Sequence, residues 1–329
     1  MWRASGLLIG IITSGLFVLN GATPASADPP SDGPRHALDS IVENVTGADA
    51  HRYAATDSAG HTMDTVKIIG DPTGGYLAVY HNYVSGTPHV FLATSTDVLN
   101  WTYRADLGTN ASQPYIAATS GGHYVVAWEQ EPTNHIAFRY YDTHADLLAA
   151  RVTRSYDTAQ TLSTCAEGTP NIYSVTLSPD IDHSTIDVGG HYYQNCDVDR
   201  QQRGTLTNFS SWHTAAQSNV DNAMLYWGVK GNIGDRDSAQ FEGYQFGLFE
   251  GQYTKGDFGS WRTFVYDYQT GNADTTAIKT NGGSTAFANP SLTEITAPNG
   301  NRAILITLFL PSQGAAAGES GELIYYKSY

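Results

Sequence analysis

Several carboxylates in this chain stand at the mouths of short apolar runs. Asp64 opens MDTVKII (63–69), Glu167 precedes GTPNIYSV (168–175), and Asp235 and Asp237 flank Arg236 in GDRD (234–237). A carboxyl group fixed on a strand end can donate a proton if burial or neighbouring charge raises its pKa, and can act as base or nucleophile if it stays ionised. Two such groups on either side of a scissile bond are what glycoside hydrolysis needs. Glu167 and Asp64 are therefore the first candidates for acid and base, with Asp235 and Asp237 as further catalytic carboxylates. Each also fits a structural role, as a turn or cap residue or, for GDRD, as an ion pair shaping a strand entry. Gln113 and Asn289 hold the corresponding place in two other runs and, with His81, Glu129, Arg236 and Glu250, are candidates to bind substrate.

These residues have a common address only if the runs belong to one repeating architecture. Helical periodicity is scarce; HALDSIVENV is the exception, with Leu38, Ile41, Val42 and Val45 on one face. Elsewhere short strand-like runs alternate with Gly, Asn, Asp and Pro turns. A small turn leads into an apolar run at MDTVKII, SQPYIAA (112–118), GTPNIYSV and ANPSLTEI (288–295), and GNIGDRDSAQF (231–241) fills the gap between Pro170 and Pro290. Each of these five entries continues into a second and third strand: GGYLAVYHN then HVFLATSTDVLNW, for example, or GGHYVVAWEQ then HIAFRYYDTHADLL, or VGGHYYQN then GTLTNFSSW. TYRADL and AIKTN read as outer strands. The last unit ends at Tyr329 without a fourth strand, which a segment before Met63 such as HRYAAT can supply. The expected fold is all-β, a five-bladed β-propeller with four antiparallel strands per blade, closed so that little edge is left bare; a β-sandwich with long loops is the alternative. Strand entries and second-to-third loops then share one face of the disc, where the named side chains converge together with Asp199 and Arg200.

The N-terminus reads as a secretory signal peptide: Arg3, an apolar stretch from Gly6 to about Leu19, then Ala-Thr-Pro-Ala-Ser-Ala ending at Ala27. The expected organisation is signal peptide 1–27, an N-terminal segment 28–62 partly closing the ring, and a propeller 63–329, secreted to the extracellular space. Net charge is −15 with 17 Lys and Arg, which argues against nucleic acid and anionic membranes and leaves neutral polysaccharide as a comfortable partner. A monomer is expected. Cys165 and Cys196 are the two cysteines, and export favours a disulfide between them. SPDIDHSTID (178–187) is rich in oxygen ligands, but Asx turns explain it as well as Ca²⁺ does. HExxH, Gly-x-Ser-x-Gly and phosphate-loop patterns are missing from the sequence.

At this point the sequence resembles the five-bladed glycosidases of family 43, the arabinofuranosidase and xylosidase type, and their invertase-like relatives. Glu167-Gly168-Thr169-Pro170 is similar to the Glu-Gly-Pro entry that carries their general acid, with a Thr inserted. Ser95-Thr96-Asp97-Val98-Leu99-Asn100-Trp101 resembles their S-x-D-L-x-x-W strand end, and Asp64 opens the first blade, where they keep the general base. The resemblance implies a third Asp at the entry of blade two; this chain has Gln113 there, so Asp235 or Asp237 would have to tune the acid. It implies a carbohydrate substrate and no cofactor, and a structural Ca²⁺ at the axis is compatible with it. Two rivals use the same propeller: a lectin-like binding module without a working acid pair, and a polysaccharide lyase relying on Arg200, Arg203 and Arg236 to neutralise a uronate.

Overall fold

The second strands are continuous apolar runs buried on both faces, as in YLAVYHN, YVVAWEQ and RAILITLFL, whereas an outer strand such as Thr102–Thr109 buries little; packing of one sheet against the next covers the apolar faces. In a computed structural model describing residues 29–329, these strands form five four-stranded antiparallel sheets. The leader read at 1–27 lies outside the described residues. The innermost strands are Asp64–Gly70, Ala111–Ala118, Glu167–Leu177, Arg236–Phe241 and Ala288–Thr296, each packed against the next around a central axis. The outermost strand of blade five comes from the start of the chain. Ala50–Arg52 pairs with Gly321–Ser328, Ala50 opposite Tyr326, and closes the ring as the sequence implied.

Local readings hold with a few exceptions. The amphipathic segment forms the helix Asp32–Glu43, which buries Leu38 and Val42 against blades four and five, while Val45 falls in a separate single turn. The third strand of blade three is Val198–Thr207, so GTLTNFSSW is split by a turn between it and the outer strand Ser211–Ala216. THADLL leaves the sheet as the short helix His144–Leu148, capped by the Thr143 hydroxyl. AIKTN lies beyond the outer strand of blade four, Asn272–Thr275. A helix not expected from the sequence, Ser218–Tyr226, sits between blades three and four and buries Val220 and Met224. Within STDVLNW, Asp97 accepts the backbone N–H groups of Leu99 (3.0 Å) and Asn100 (2.7 Å), and the turn delivers Trp101 into the core between blades one and five.

Strand register decides which residues meet on the axis. The positions opposite His81, Glu129, His191, Glu250 and Phe309 of the second strands are Asp64, Ser112, Gly168, Asp235 and Ala288. Just beyond them, four blades insert an extra residue as a β-bulge, and the bulged residues Thr65, Gln113, Thr169 and Asn289 all have φ near +50°. Bulges re-aim side chains, and a left-handed non-glycine backbone is tolerated where surrounding structure fixes it. Blade four has no bulge there. The next inward-facing layer is Lys67, Tyr115, Asn171, Asp237 and Ser291. In it Asp237 pairs with the Lys67 ammonium and accepts hydrogen bonds from Tyr115 Oη (2.8 Å), Ser291 Oγ (2.9 Å) and Leu292 N (3.0 Å). Lys67 Nζ also donates to Thr293 Oγ1 at 2.8 Å and lies 4.6 Å from the centre of the Tyr115 ring. This layer plugs the channel and ties four blades through one carboxylate.

Truncating one partner of a buried ion pair strands the other, at a cost of about 3–5 kcal/mol. Lys67→Ala is expected to destabilise the protein by about that amount in denaturant unfolding, and Lys67→Met combined with Asp237→Leu to recover much of it.

Candidate active site

Above the plug lies a cavity of about 390 Å³ at the axis. Its lining combines the register layer and the bulged residues: Asp64, Thr65, His81, Gln113, Thr169, His191, Asp199, Asp235, Glu250 and Asn289. Tyr83, Phe258, Trp261 and Phe309 supply aromatic walls, and Tyr83 and Phe258 are exposed at the mouth.

The acids fall into two groups. Asp235 and Glu250 face one another on neighbouring stretches of blade four. Glu250 accepts from Asp235 N (2.9 Å) through Oε1 and from Asn289 N through Oε2, while Asp235 Oδ2 is buried without a partner. Burial pushes Asp235 up to about 7, opposed by the charge of Arg236 and reinforced by Glu129 and Asp199. Glu250 is raised by burial and by Asp235. Two adjacent buried carboxyls cannot both ionise cheaply, so the pair retains a proton. Asp199, at the same side, is pushed by burial to about 6. Across blade five stands Asp64, opposite His81; burial raises it, against a hydrogen bond with Thr62 that lowers it. Behind it Glu322 is buried and accepts from Thr65 N at 3.1 Å.

Neutral groups complete the wall. Asn289 Nδ2 donates to Thr65 Oγ1 (2.8 Å) and Gln113 Oε1 (3.1 Å), joining the bulged residues of blades five, one and two. Burial holds His81 and His191 near 4, so both imidazoles are neutral at pH 7. His191 Nδ1 meets Thr169 Oγ1 at 2.6 Å, and its Nε2 lies 3.8 Å from Glu129 and 3.7 Å from Asp199.

Of the residues read from sequence, Asp64, His81, Gln113, Asp199, Asp235, Glu250 and Asn289 meet in this cavity. Glu167 does not. It lies one residue before Gly168, which holds the register position of Asp64 and Asp235, and side chains alternate between faces of a strand. Its carboxylate is 1% exposed, and Oε1 accepts the backbone N–H groups of Thr161, Leu162 and Ser163, so it organises the loop leading into blade three. Asp237 is likewise consumed by the plug. Glu129 sits behind His191, bonded to Asn134, and Arg236 stays behind the wall, donating to the carbonyl oxygens of Thr169 and, at 2.7 Å, Gly234. Its charge still faces Asp235 and Glu250. His191 escaped the sequence reading; it holds the register position of His81, but aligning GGHYYQN with YLAVYHN at their ends pairs His81 with Gln194, so only the strand register reveals the match.

For metal, the axial position is filled by the Lys67 ammonium. The acids of 178–187 are engaged as well: Asp180 with His183, Asp182 with Arg154 and Asp187 with Arg203. Cys165 and Cys196 form the expected disulfide, with Cα atoms 5.6 Å apart, beside the Glu167 loop.

A scan against protein-family models finds no match, and a search of curated proteins finds no relative. Solved structures do match. A complex of BT0996 with RGII aligns with a TM-score of 0.57 at 10% identity, over 91% of the present protein and 96% of the matched one. An α-L-arabinofuranosidase from Lactobacillus brevis aligns at 0.54 and 7% identity, over 82% and 94%. An endo-1,4-β-xylanase from Bacteroides thetaiotaomicron aligns at 0.51 and 10%, over 82% and 90%. At such identities the likeness is one of fold: the protein shares the architecture of these structures.

Two outcomes are expected. Glu167→Ala leaves three backbone donors without their acceptor, and each such loss costs about 1–3 kcal/mol; its melting temperature should drop by several degrees. The second concerns pH. Carboxyls raised on folding contribute stability that is complete below their unfolded values and is lost as pH rises through the folded ones; Asp199 and Asp221 (about 6) and Asp39 and Asp235 (about 7) belong here. His81 and His191 act oppositely, losing stability as pH falls from 6.5 towards 4. With the acids in the majority, the melting temperature should decline between about pH 5 and about pH 8, and a rise over that range would contradict the burial described.

Proposed function

We propose that the axial cavity is the active site of a glycoside hydrolase acting on a neutral polysaccharide or oligosaccharide, in a protein exported from the cell. The observation that carries this reading is the pair Asp235–Glu250, two buried carboxyl side chains held together on blade four, in one cavity with a separate one, Asp64. Asp235 is the acid. Glu250, buried beside it, accepts the Asp235 backbone N–H and so orients it, and Asp64 is the base or nucleophile. Arg236, behind the wall, limits how far the pair is raised, so that the acid can also lose its proton during turnover. The aromatic walls provide apolar faces for sugar rings, and Gln113, Asn289, His81 and His191 provide uncharged hydrogen-bonding groups for hydroxyls. Arabinose- and xylose-containing polymers are the first substrates to try, given the named activities of the fold neighbours. The disulfide supports export, and the domain boundaries at 27 and 62 belong to the same proposal.

The lectin-like alternative draws on one observation: the bulged positions around the axis carry Thr65, Gln113, Thr169 and Asn289, none of them ionisable. Reducing-end release from arabinan, xylan and arabinoxylan separates the two. Asp235→Asn and Asp64→Asn are each expected to lower kcat/KM by about 10²–10⁴ with the fold intact, and the wild-type rate to fall above about pH 7 as Asp235 loses its proton. Full activity in both variants would remove the acid–base assignment; binding without release of reducing ends would favour the lectin, and unsaturated products the lyase.

A further inference from the structure

Exposed aromatic side chains gather in two places among the described residues, apart from the terminal Tyr329. One is the mouth of the axial cavity, with Tyr83 and Phe258. The other is the outer wall of blade four, where Tyr226 is 84% and Trp227 38% exposed. There the helix Ser218–Tyr226 runs beside the outer strand Asn272–Thr275, and a groove of about 490 Å³ opens between them, within the range of small-ligand sites. It shares no lining residue with the axial cavity.

The groove is built of two kinds of group. Asn219, Asn222 and Tyr226 are spaced to form one exposed stripe of the helix, opposite the buried Val220 and Met224. Trp227 donates its indole N–H to Ala273 O at 2.6 Å, which fixes the ring against the strand edge, 5.7 Å from Tyr226 and nearly perpendicular to it. Asn272 adds a third amide. The cation present, Arg35, is already paired with Asp32 (2.8 Å) and Asp274 (2.7 Å), yet its Nε has no partner. Two rings held at an angle, three side-chain amides and a charge-neutralised guanidinium suit a ligand with apolar faces and many hydroxyls and no net charge. A polyanion would face a protein of net charge −15 with no free cation lining the groove among the described residues.

We infer that this groove is a second carbohydrate-binding site, which holds a neutral polysaccharide chain on the side of the propeller, away from the axial cavity. The ring of Tyr226 stacks on a sugar face, and Asn219, Asn222 and Asn272 take its hydroxyls. The inference does not depend on the axial site being hydrolytic.

Affinity electrophoresis in gels containing arabinan, arabinoxylan, galactomannan or mixed-linkage glucan, with polygalacturonate as the anionic control, tests it. The Asp64→Asn/Asp235→Asn protein serves as background so that the polymer is not degraded. Adding Tyr226→Ala, at a side chain exposed enough not to disturb folding, is expected to weaken retardation by at least one of the neutral polymers about tenfold, the order for losing one aromatic contact. Asn222→Ala should weaken it less, and Trp261→Ala in the axial cavity should leave the Tyr226-dependent part in place. Unchanged retardation in both groove variants overturns the inference. So does loss of all retardation in Trp261→Ala, retardation by polygalacturonate alone, or none by any neutral polymer. Absence of reducing-end release by the wild type counts against the hydrolase and leaves a Tyr226-dependent retardation standing as support for the groove.

Discussion

Asp237 is the constraint on which the arrangement of this propeller rests. Five sheets packed around an axis leave a channel, and something must fill it without stranding polar groups. Here the filling is a buried ion pair, Lys67 with Asp237, completed by Tyr115, Ser291, Thr293 and the backbone of Leu292. A buried pair of this kind is a weak source of net stability, because desolvation offsets most of the attraction. Its effect is on geometry: one carboxylate on blade four fixes blades one, two and five relative to itself. Blade three is held differently, by Arg236 reaching the Thr169 carbonyl and by Gln201 donating to the carbonyl oxygens of Ile233 (2.9 Å) and Gly234 (2.7 Å).

The plug also sets the floor of the cavity above it, and the bulges shape what lies on that floor. Four blades turn an extra residue into the axis, and those residues are Thr, Gln, Thr and Asn. In the one blade without the bulge, Asp235 is followed directly by Arg236, whose side chain stays behind the wall. The five-fold pattern is thus broken where the titratable chemistry is concentrated. The acids of the cavity are divided between blade one and blades three to four, with amides and hydroxyls between them. Arg236 is the single cation, among the described residues, whose field reaches Asp199, Asp235 and Glu250 together. Without it the pair on blade four would titrate still higher, since burial and mutual repulsion act in the same direction.

The outer wall follows a different logic. Blades meet through apolar clusters, but between blades three and four the helix Ser218–Tyr226 is inserted as a wedge. Its apolar side completes the core, which leaves its amide and aromatic stripe facing outwards. A site there arises as a by-product of how a gap between blades is filled, and it shares no wall with the axial cavity.

The sequence by itself determined the propeller, its five blades, the closure by the segment ahead of Met63 and the cysteine pairing, because short apolar runs, turn chemistry and repeat spacing are local properties that each unit displays. It also named seven residues that line the axial cavity, since strand entries in a propeller converge whatever the details. It misassigned Glu167 and Asp237, whose roles depend on a single step of register. Glu167 differs from Gly168 by one position, and one position reverses the face of a strand. Asp237 lies on the inward face, but one layer too deep. Its partner Lys67 is 170 residues away in the chain, so no window of sequence contains both. The helix Ser218–Tyr226 was hidden for a similar reason: its weak amphipathicity gains meaning only from the gap it fills. Tertiary structure alone decided which carboxylates lost water without gaining a partner, because burial and charge proximity are sums over residues brought together by the closed ring.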